Sequence, residues 1–490
     1  MVFLYVGEDN LPPGAITIMQ LSRLAVLSEE EIRQIHESTV DILANCGVKV
    51  LDPRMLQFLK AQGLAADATT EVVKFSRAAI EDALAAAPRQ FEVFDRNGQH
   101  AFLLGDGRAK VAAGHNAVFW VDSETGRTRP STVADVELFA RICQNLECID
   151  MVGVPVMPQD VPDPKATLPY AVRAVIANST KPIYFSTDNC KANRTCIDLL
   201  QAAFAGDLQR QVYGISQLSP TAPLYWERGV CEAIMDTVPT GVPLAILPEP
   251  IAGFTAPFTL AGLVTMNNCE CLSGLVMIQL LRRGAKFLYA NSWTTFDMRS
   301  AAALVGSTET TICRIAGAQL AHYYKLPCHT TAPNSDNHAH DEQNAWEKTF
   351  SQFCATAAGN DLIVNCGMFA TGMTCSHEQL LMDEEISAMS RRIAEGMTVN
   401  SETIAADLIK HIGPRGEGYL TSEHTLRWLR SKEYLKTRLS VRDNRAGWES
   451  RGAKDTYQLA RDKVRSLAQR QPDPLPAETQ AKLDEIIASY

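Results

Sequence analysis

The sequence predicts an α/β fold: a TIM (β/α)8 barrel with an N-terminal extension of helices and a β-hairpin and a C-terminal helical tail. Three observations carry this reading. From residue 110 onward, eight short β-branched or apolar runs recur about 30–45 residues apart. Helical stretches separate them, as βα units require. Eight such units close a barrel more naturally than they fill an open doubly wound sheet. No G-x-G-x-x-G follows an early strand and no G-x-x-x-x-G-K-[ST] occurs, so a dinucleotide-binding or P-loop fold lacks its motif. The 490 residues then divide into an extension over 1–109, a catalytic barrel over 110–396 and a C-terminal extension over 397–490.

The elements follow in order. Residues 1–27 read as an irregular lead, with Met19 a candidate start. Met1–Gly7 is apolar but lacks a basic flank, and Glu8 and Asp9 follow at once, so it does not read as a signal peptide. Ser28 and Glu31 form a capping box at the head of the first helix, and apolar residues recur at Ile32, Ile35, Val40, Ile42 and Leu43. Helices are expected over 53–62 and 77–86. The segment from Phe91 to Thr128 alternates apolar and polar residues, and Asn97-Gly98 and Thr125-Gly126 mark turns between its strands. The eight barrel strands are read at 110–113, 149–156, 182–186, 211–215, 242–247, 286–290, 326–330 and 361–365. Helices lie between them at 166–178, 191–205, 224–237, 258–283, 303–325 and 340–358. The apolar stretch Leu260–Leu281 is interrupted by Asn267, Asn268 and Glu270, which predicts a buried helix and no membrane span. Gln471–Pro476, with three prolines, reads as a linker before a short amphipathic helix over 477–490.

Composition bounds the function. Hydrophobic residues are 46% and charged residues 21%, ordinary for a chain with a large core. Lys and Arg number 46 against 56 Asp and Glu, a net charge of -10, which argues against nucleic acid as the ligand. Thirteen cysteines without a framework spacing suggest free thiols and a cytoplasmic protein.

A barrel places its chemistry at the C-terminal ends of its strands. His115 follows the first strand, Glu249 the fifth, and Trp293, Phe296 and Arg299 the sixth. Asn334, Asp336, His338 and His340 follow the seventh. The set is rich in aromatic rings and poor in paired acids, and no G-x-S-x-G elbow occurs. Aromatic faces recognise a quaternary ammonium, which has no hydrogen to donate, at about 0.5–2 kcal/mol each. Trp120, Phe254, Trp293 and Phe296 are the cage candidates, although rings near strand ends also serve as packing. Arg299 either holds an anionic group such as a carboxylate or stands in solvent at a helix start. Glu249, between two prolines, either lines the pocket or forms an exposed turn. His338 and His340, with Cys328 and His329 upstream, suggest zinc only weakly, because neighbouring strand residues point to opposite faces. No metal bound by this chain is expected. Asp341 reads as a helix cap, and Cys269 and Cys271 as buried small hydrophobes.

Several stretches together resemble the trimethylamine methyltransferase superfamily of corrinoid-dependent amine methyltransferases. They are Asp122–Gly126 running through Arg129–Thr132 to Asp135, Met157–Pro162, and Thr255–Pro257 leading into Thr259–Gly262. Further on come Asp297–Arg299, Asp336 with Asp341–Gln343, Gly413-Pro414, Glu423–Leu426 and Gly452–Asp455. The resemblance runs from about residue 28 to the C-terminus, and these stretches keep their order along it. The resemblance implies a TIM barrel that moves a methyl group from an amine nitrogen to Co(I) of a corrinoid (cobalamin) carried by a partner protein. The chain contains only standard residues, so it looks like the pyrrolysine-free branch, whose members act on quaternary amines such as glycine betaine. The loop after the seventh strand faces the site in this family, which makes Asp336 and His338 the catalytic candidates. In place of the usual Thr-Asp-Ser-Lys-x-x-Asp-x-Gln, it reads Ser335–Gln343 with His338 where Lys is usual.

Two other readings stand beside this one. One is zinc-dependent methyl transfer from a thiol or alcohol donor through His338 and His340. The other is a non-catalytic quaternary-amine-binding protein on the same barrel. A homo-oligomer is expected from the helical tail and large apolar helices.

Overall fold

The computed structural model describes residues 21–187, 189–416, 418–470 and 473–490. Met19, and Gln471 and Pro472 of the linker, lie outside them. Eight parallel strands close into a barrel. They are β1 (Lys110–Ala113), β2 (Met151–Gly153), β3 (Ile183–Ser186), β4 (Gly214–Leu218), β5 (Leu244–Ile246), β6 (Phe287–Asn291), β7 (Cys328–Thr331) and β8 (Leu362–Cys366). β8 pairs with β1 in parallel, which completes the ring. Eight helices flank it: α1 (Val133–Gln144), α2 (Thr167–Asn178), α3 (Cys190–Ala203), α4 (Arg228–Thr237), α5 (Leu260–Leu281), α6 (Thr308–Tyr324), α7 (Glu342–Ala357) and α8 (His377–Glu395).

The barrel expected from the spacing is the barrel found, and the departures have local causes. β7 begins at Cys328 because Pro327 has no amide hydrogen for the ladder. α4 begins at Arg228, because Tyr225–Trp226 instead pairs in parallel with Val48–Val50. α6 begins at Thr308, because Ala302–Leu304 folds back on Thr295–Asp297 as a hairpin.

The two ends of the barrel differ. The antiparallel pair Phe91–Phe94 and His100–Leu104 turns at Asn97-Gly98, where Gly98 takes a φ of 77°. Its Phe91, Val93, Phe102 and Leu104 join the inward residues Ala112, Met151, Tyr184, Ile215, Leu288 and Val364 in one buried cluster. Phe94 N–H bonds to Val212 O just before β4, so this pair plugs the N-terminal end. The C-terminal end is left as the mouth.

The N-terminal helix Glu29–Asn45 starts on the Ser28/Glu31 capping box. It packs on α5, as does the helix Arg77–Ala86. α5 is therefore apolar on all sides. Its Cys271 thiol reaches Ala290 O of β6 at 3.2 Å, while Asn268 bonds outward to Thr39 at 2.8 Å. Its length and hydropathy would let it cross a membrane, yet 78% of its most apolar window is buried within the protein. At the other terminus, Thr456–Ala468 packs on α8 and α1, and Ala477–Ala488 packs on α3 and α2.

Candidate active site at the barrel mouth

Strand alternation decides which side chains meet in the mouth. In β3, Tyr184 points inward between the outward Ile183 and Phe185; in β7, His329 points inward between Cys328 and Thr330. Gln217 of β4 and Asn365 of β8 join them, and the turns after β1, β5, β6 and β7 add His115, Glu249, Ser292 and Asn334.

These groups form one network. Asn334 Nδ2 donates to Thr331 O at 2.9 Å, leaving Asn334 Oδ1 to accept from Asn365 Nδ2 at 2.9 Å. Asn365 Oδ1 therefore faces His115 Nδ1 at 2.9 Å, which requires a proton on Nδ1 of that imidazole. The Tyr184 hydroxyl donates to Gln217 Oε1. The same hydroxyl is 2.9 Å from His329 Nε2, so His329 donates to it through Nε2. That leaves His329 Nδ1 as a buried acceptor without a partner. The Tyr184 and His329 rings stack at 5.4 Å and 22°. Gln217 Nε2 donates to Ser186 Oγ at 3.0 Å, and Asn116 Nδ2 to Ser186 O at 2.8 Å. Asn365 holds this position at a φ of +102°, a strained backbone for a residue with a side chain.

The electrostatics are simple. Burial holds both His115 and His329 below the usual imidazole range, and each is neutral at pH 7. Burial pushes the Glu249 carboxyl up to about 7 against the bond from Ser292. Glu249 still meets water through the mouth: it is walled by protein without being sealed. Burial and the charge of Glu249 keep Tyr184 protonated. The lining is thus a set of neutral hydrogen-bonding groups and one carboxyl poised near neutrality.

Aromatic rings stand at the rim. Phe254, 74% exposed, stacks on Phe296 with ring centres 6.3 Å apart and planes at 15°. Phe296 belongs to the hairpin Thr295–Leu304, whose turn carries Arg299 into solvent. Asp336 clasps this hairpin: its carboxylate accepts Val305 N–H at 2.8 Å and Gly306 N–H at 3.0 Å. Below, Lys348 and Asp383, both fully buried, pair at 2.9 Å. Lys348 Nζ also donates to Pro333 O and Met368 O, and Asp383 accepts Gly367 N–H at 2.7 Å. The pair therefore pins the two turns that deliver Asn334 and Asn365.

The structure brings His115 and Asn334 into the network, sets Glu249 on Ser292 beside Tyr184, and sets Phe254, Phe296 and Arg299 at the rim. It corrects the remaining expectations. Trp120 is 1% exposed and lies 4.6 Å from the His377 ring, in the layer between barrel and helices. Trp293, also 1% exposed, packs outward on α6, where a Cβ at Gly317 would come within 2.8 Å of its ring. Asp336 spends its carboxylate on the hairpin clasp and has no place in the network. His338 is exposed on its loop. His340 turns away from the mouth: its Nδ1 meets Gln379 Oε1 at 2.8 Å and its ring stacks on Tyr457 at 5.0 Å. His338 and His340 therefore do not converge. The Cys328 thiol points outward to Asp361, opposite to His329. Among the described residues, no group of three His, Cys, Asp or Glu side chains is placed to hold one ion.

Sequence reading did not choose Tyr184, Gln217, Asn365 or Ser292, and named His329 only beside the weak zinc reading. The signal was present: a polar residue inside a short apolar strand run points into either a core or a site.

This fold and this site define a TIM-barrel enzyme that acts on a small molecule held at the strand ends. The profile of the family described as Trimethylamine methyltransferase (MTTB) matches residues 11–489, and the chain belongs to that family. It is a methyltransferase. The chain is 31% identical over 467 residues to the trimethylamine methyltransferase MttB of Desulfitobacterium hafniense (strain DSM 10664 / DCB-2), covering 95% of this chain and 93% of that protein. It is 27% identical over 473 residues to the glycine betaine methyltransferase of Desulfitobacterium hafniense (strain Y51), covering 96% and 97%. The crystal structure of the Methanosarcina barkeri monomethylamine methyltransferase shares the fold, with a TM-score of 0.51 at 12% identity over 91% of this chain and 88% of that one.

Proposed function

We propose that this enzyme moves a methyl group from a quaternary amine of the betaine class to the Co(I) corrinoid of a separate cytoplasmic protein. The observation that carries this reading is the lining of the mouth: one carboxyl, Glu249, among neutral amides, imidazoles and a phenol, with stacked rings above. A quaternary ammonium has no proton to give, so it is held by charge and by ring faces. Ionised Glu249 supplies the charge; Phe254 and Phe296 supply the faces. When such a cation loses a methyl group, the amine leaves neutral, and no acid or base is needed. The corrinoid supplies the nucleophile. The work left to this chain is alignment and exclusion of water. The interlocked network of His115, Asn365, Asn334, Tyr184, Gln217 and His329 does the aligning, since each of its groups is fixed by the next. A betaine carboxylate has Arg299 and the mouth amides as donors.

The corrinoid partner has a surface to meet. Val118, Phe119, Phe254, Phe258, Met298 and Met373, all in segments that follow barrel strands, are exposed apolar residues around the mouth. Isolated apolar residues on a surface are ordinary, but a ring of them around a site supports docking of a partner there. The relative named as a glycine betaine methyltransferase, matched along nearly its whole length, supports the substrate class. Free thiols along the described chain are compatible with a reducing compartment.

Titration calorimetry with glycine betaine, tetramethylammonium and dimethylglycine tests the substrate class. Binding of the two quaternary ions with at least tenfold weaker binding of dimethylglycine is the expected result. Equal affinity for all three, or no binding of either quaternary ion, overturns the proposal.

A further inference from the structure

We propose that Arg314, buried on α6, is a positioning residue of the amine site: it holds the peptide between Val305 and Gly306 and so seats the rim hairpin that carries Phe296 and Arg299. This rests on the function proposed above and adds a residue to it. Arg314 is 1% exposed. Its Nη2 donates to Val305 O at 2.8 Å, while Nε and Nη1 are buried without a partner. Burial brings its pKa down only to about 10, so it stays charged at pH 7, and Asp336 is the carboxylate whose charge favours it.

The two charges grip one peptide group. Arg314 takes its carbonyl, that of Val305, and Asp336 takes its N–H, that of Gly306, at 3.0 Å. Asp336 also accepts Val305 N–H at 2.8 Å. Bonds with an ionised partner are about twice as strong as neutral ones. These stand where the chain leaves the hairpin for α6. Thr310, four residues before Arg314 on the same face of α6, donates to Leu304 O at 2.7 Å, so α6 holds the end of the hairpin at two successive points. The fit is close: a Cβ at Gly306 would come within 2.7 Å of Glu347 Oε2 and 2.9 Å of Asp336 N. The paired residues Thr295–Asp297 and Ala302–Leu304 are all only half-buried, and a lone two-stranded hairpin is marginal in water. Fold stability does not account for Arg314. A guanidinium with two unpartnered nitrogens is costly to bury, and an apolar side chain of the same length replaces it at little or no cost to the fold. Its use lies in the element it seats.

Arg314→Met and Arg314→Lys decide this, through urea denaturation, hydrogen exchange of residues 295–305, and calorimetry with glycine betaine and tetramethylammonium. Arg314→Met should keep the wild-type urea midpoint or raise it. Its hairpin alone should exchange at least tenfold faster. It should bind glycine betaine at least tenfold more weakly, with a smaller loss for tetramethylammonium, which has no carboxylate for Arg299. Arg314→Lys, which keeps the charge and a donor, should return affinity to within about threefold of wild type. A lowered midpoint with faster exchange throughout the chain marks a structural residue and overturns the proposal. Unchanged hairpin exchange overturns it too, as does unchanged affinity where the wild type binds. A wild type that binds neither ion overturns the proposed function instead, and hairpin exchange still decides whether Arg314 seats the hairpin.

Discussion

At the scale of the residue, Glu249 sets the behaviour of the mouth. Its carboxyl bonds to Ser292 and faces the Tyr184 phenol, so on the proposed function a bound cation depends on one carboxylate. Burial raises that carboxyl to about 7, which leaves it about one-tenth ionised at pH 6 and nine-tenths at pH 8. Affinity for a quaternary amine should rise about tenfold between those pH values, because only the ionised form attracts the cation. Glu249→Gln should bind weakly at both and lose the pH dependence. Calorimetry at pH 6, 7 and 8 measures this; a pH-dependent Gln variant, or a flat wild type, contradicts the role. The same raised value costs stability. The folded carboxyl keeps its proton up to about 7, whereas the unfolded one loses it near 4.5, so its contribution to stability falls as pH rises through that window.

Legibility differed by residue for a physical reason. His115, Glu249 and Asn334 were readable because they directly follow strands, where a barrel must place its site. Trp120 and Trp293 were misjudged because position near a strand end does not say which way a ring points; strand alternation and the space over Gly317 decide that. His338 and His340 are two apart in a loop without strand geometry, and nothing in their spacing announced that Gln379 and Tyr457 would take His340.

At the scale of the element, the mouth rests on two clasps. Asp336 ties the hairpin that carries Phe296 and Arg299 to the loop after β7. The Lys348–Asp383 pair ties α7 and α8 to the turns that carry Asn334 and Asn365. Helical rhythm could not expose this pair, since Lys348 sits among ordinary helix residues and its partner is 35 positions away. Lys348→Met should lower stability by about 3–5 kcal/mol, because it strands a fully buried carboxylate. Replacing both partners with apolar residues should cost much less. Urea denaturation followed by circular dichroism measures both, and an unchanged midpoint for the single variant contradicts the assignment. Strand and helix positions, by contrast, were legible to within a few residues. Their departures came from partners distant in sequence, such as Val48–Val50 drawing Tyr225–Trp226 into a strand.

At the scale of the whole molecule, the two ends of the barrel are specialised. A hairpin plug closes one end. The other end opens as a mouth with a neutral, interlocked lining and an apolar rim. This polarity leaves the mouth as the end that admits a small molecule. Methyl transfer itself tests the account most directly. Purified protein, a reduced Co(I) corrinoid protein or free cobalamin, and one amine at a time are followed by absorbance. The panel is glycine betaine, proline betaine, carnitine, butyrobetaine, choline and trimethylamine. The account predicts methylation of the corrinoid with a quaternary amine, strongly reduced by Glu249→Gln. Methylation with trimethylamine alone, or wild-type rates retained by Glu249→Gln, would contradict it.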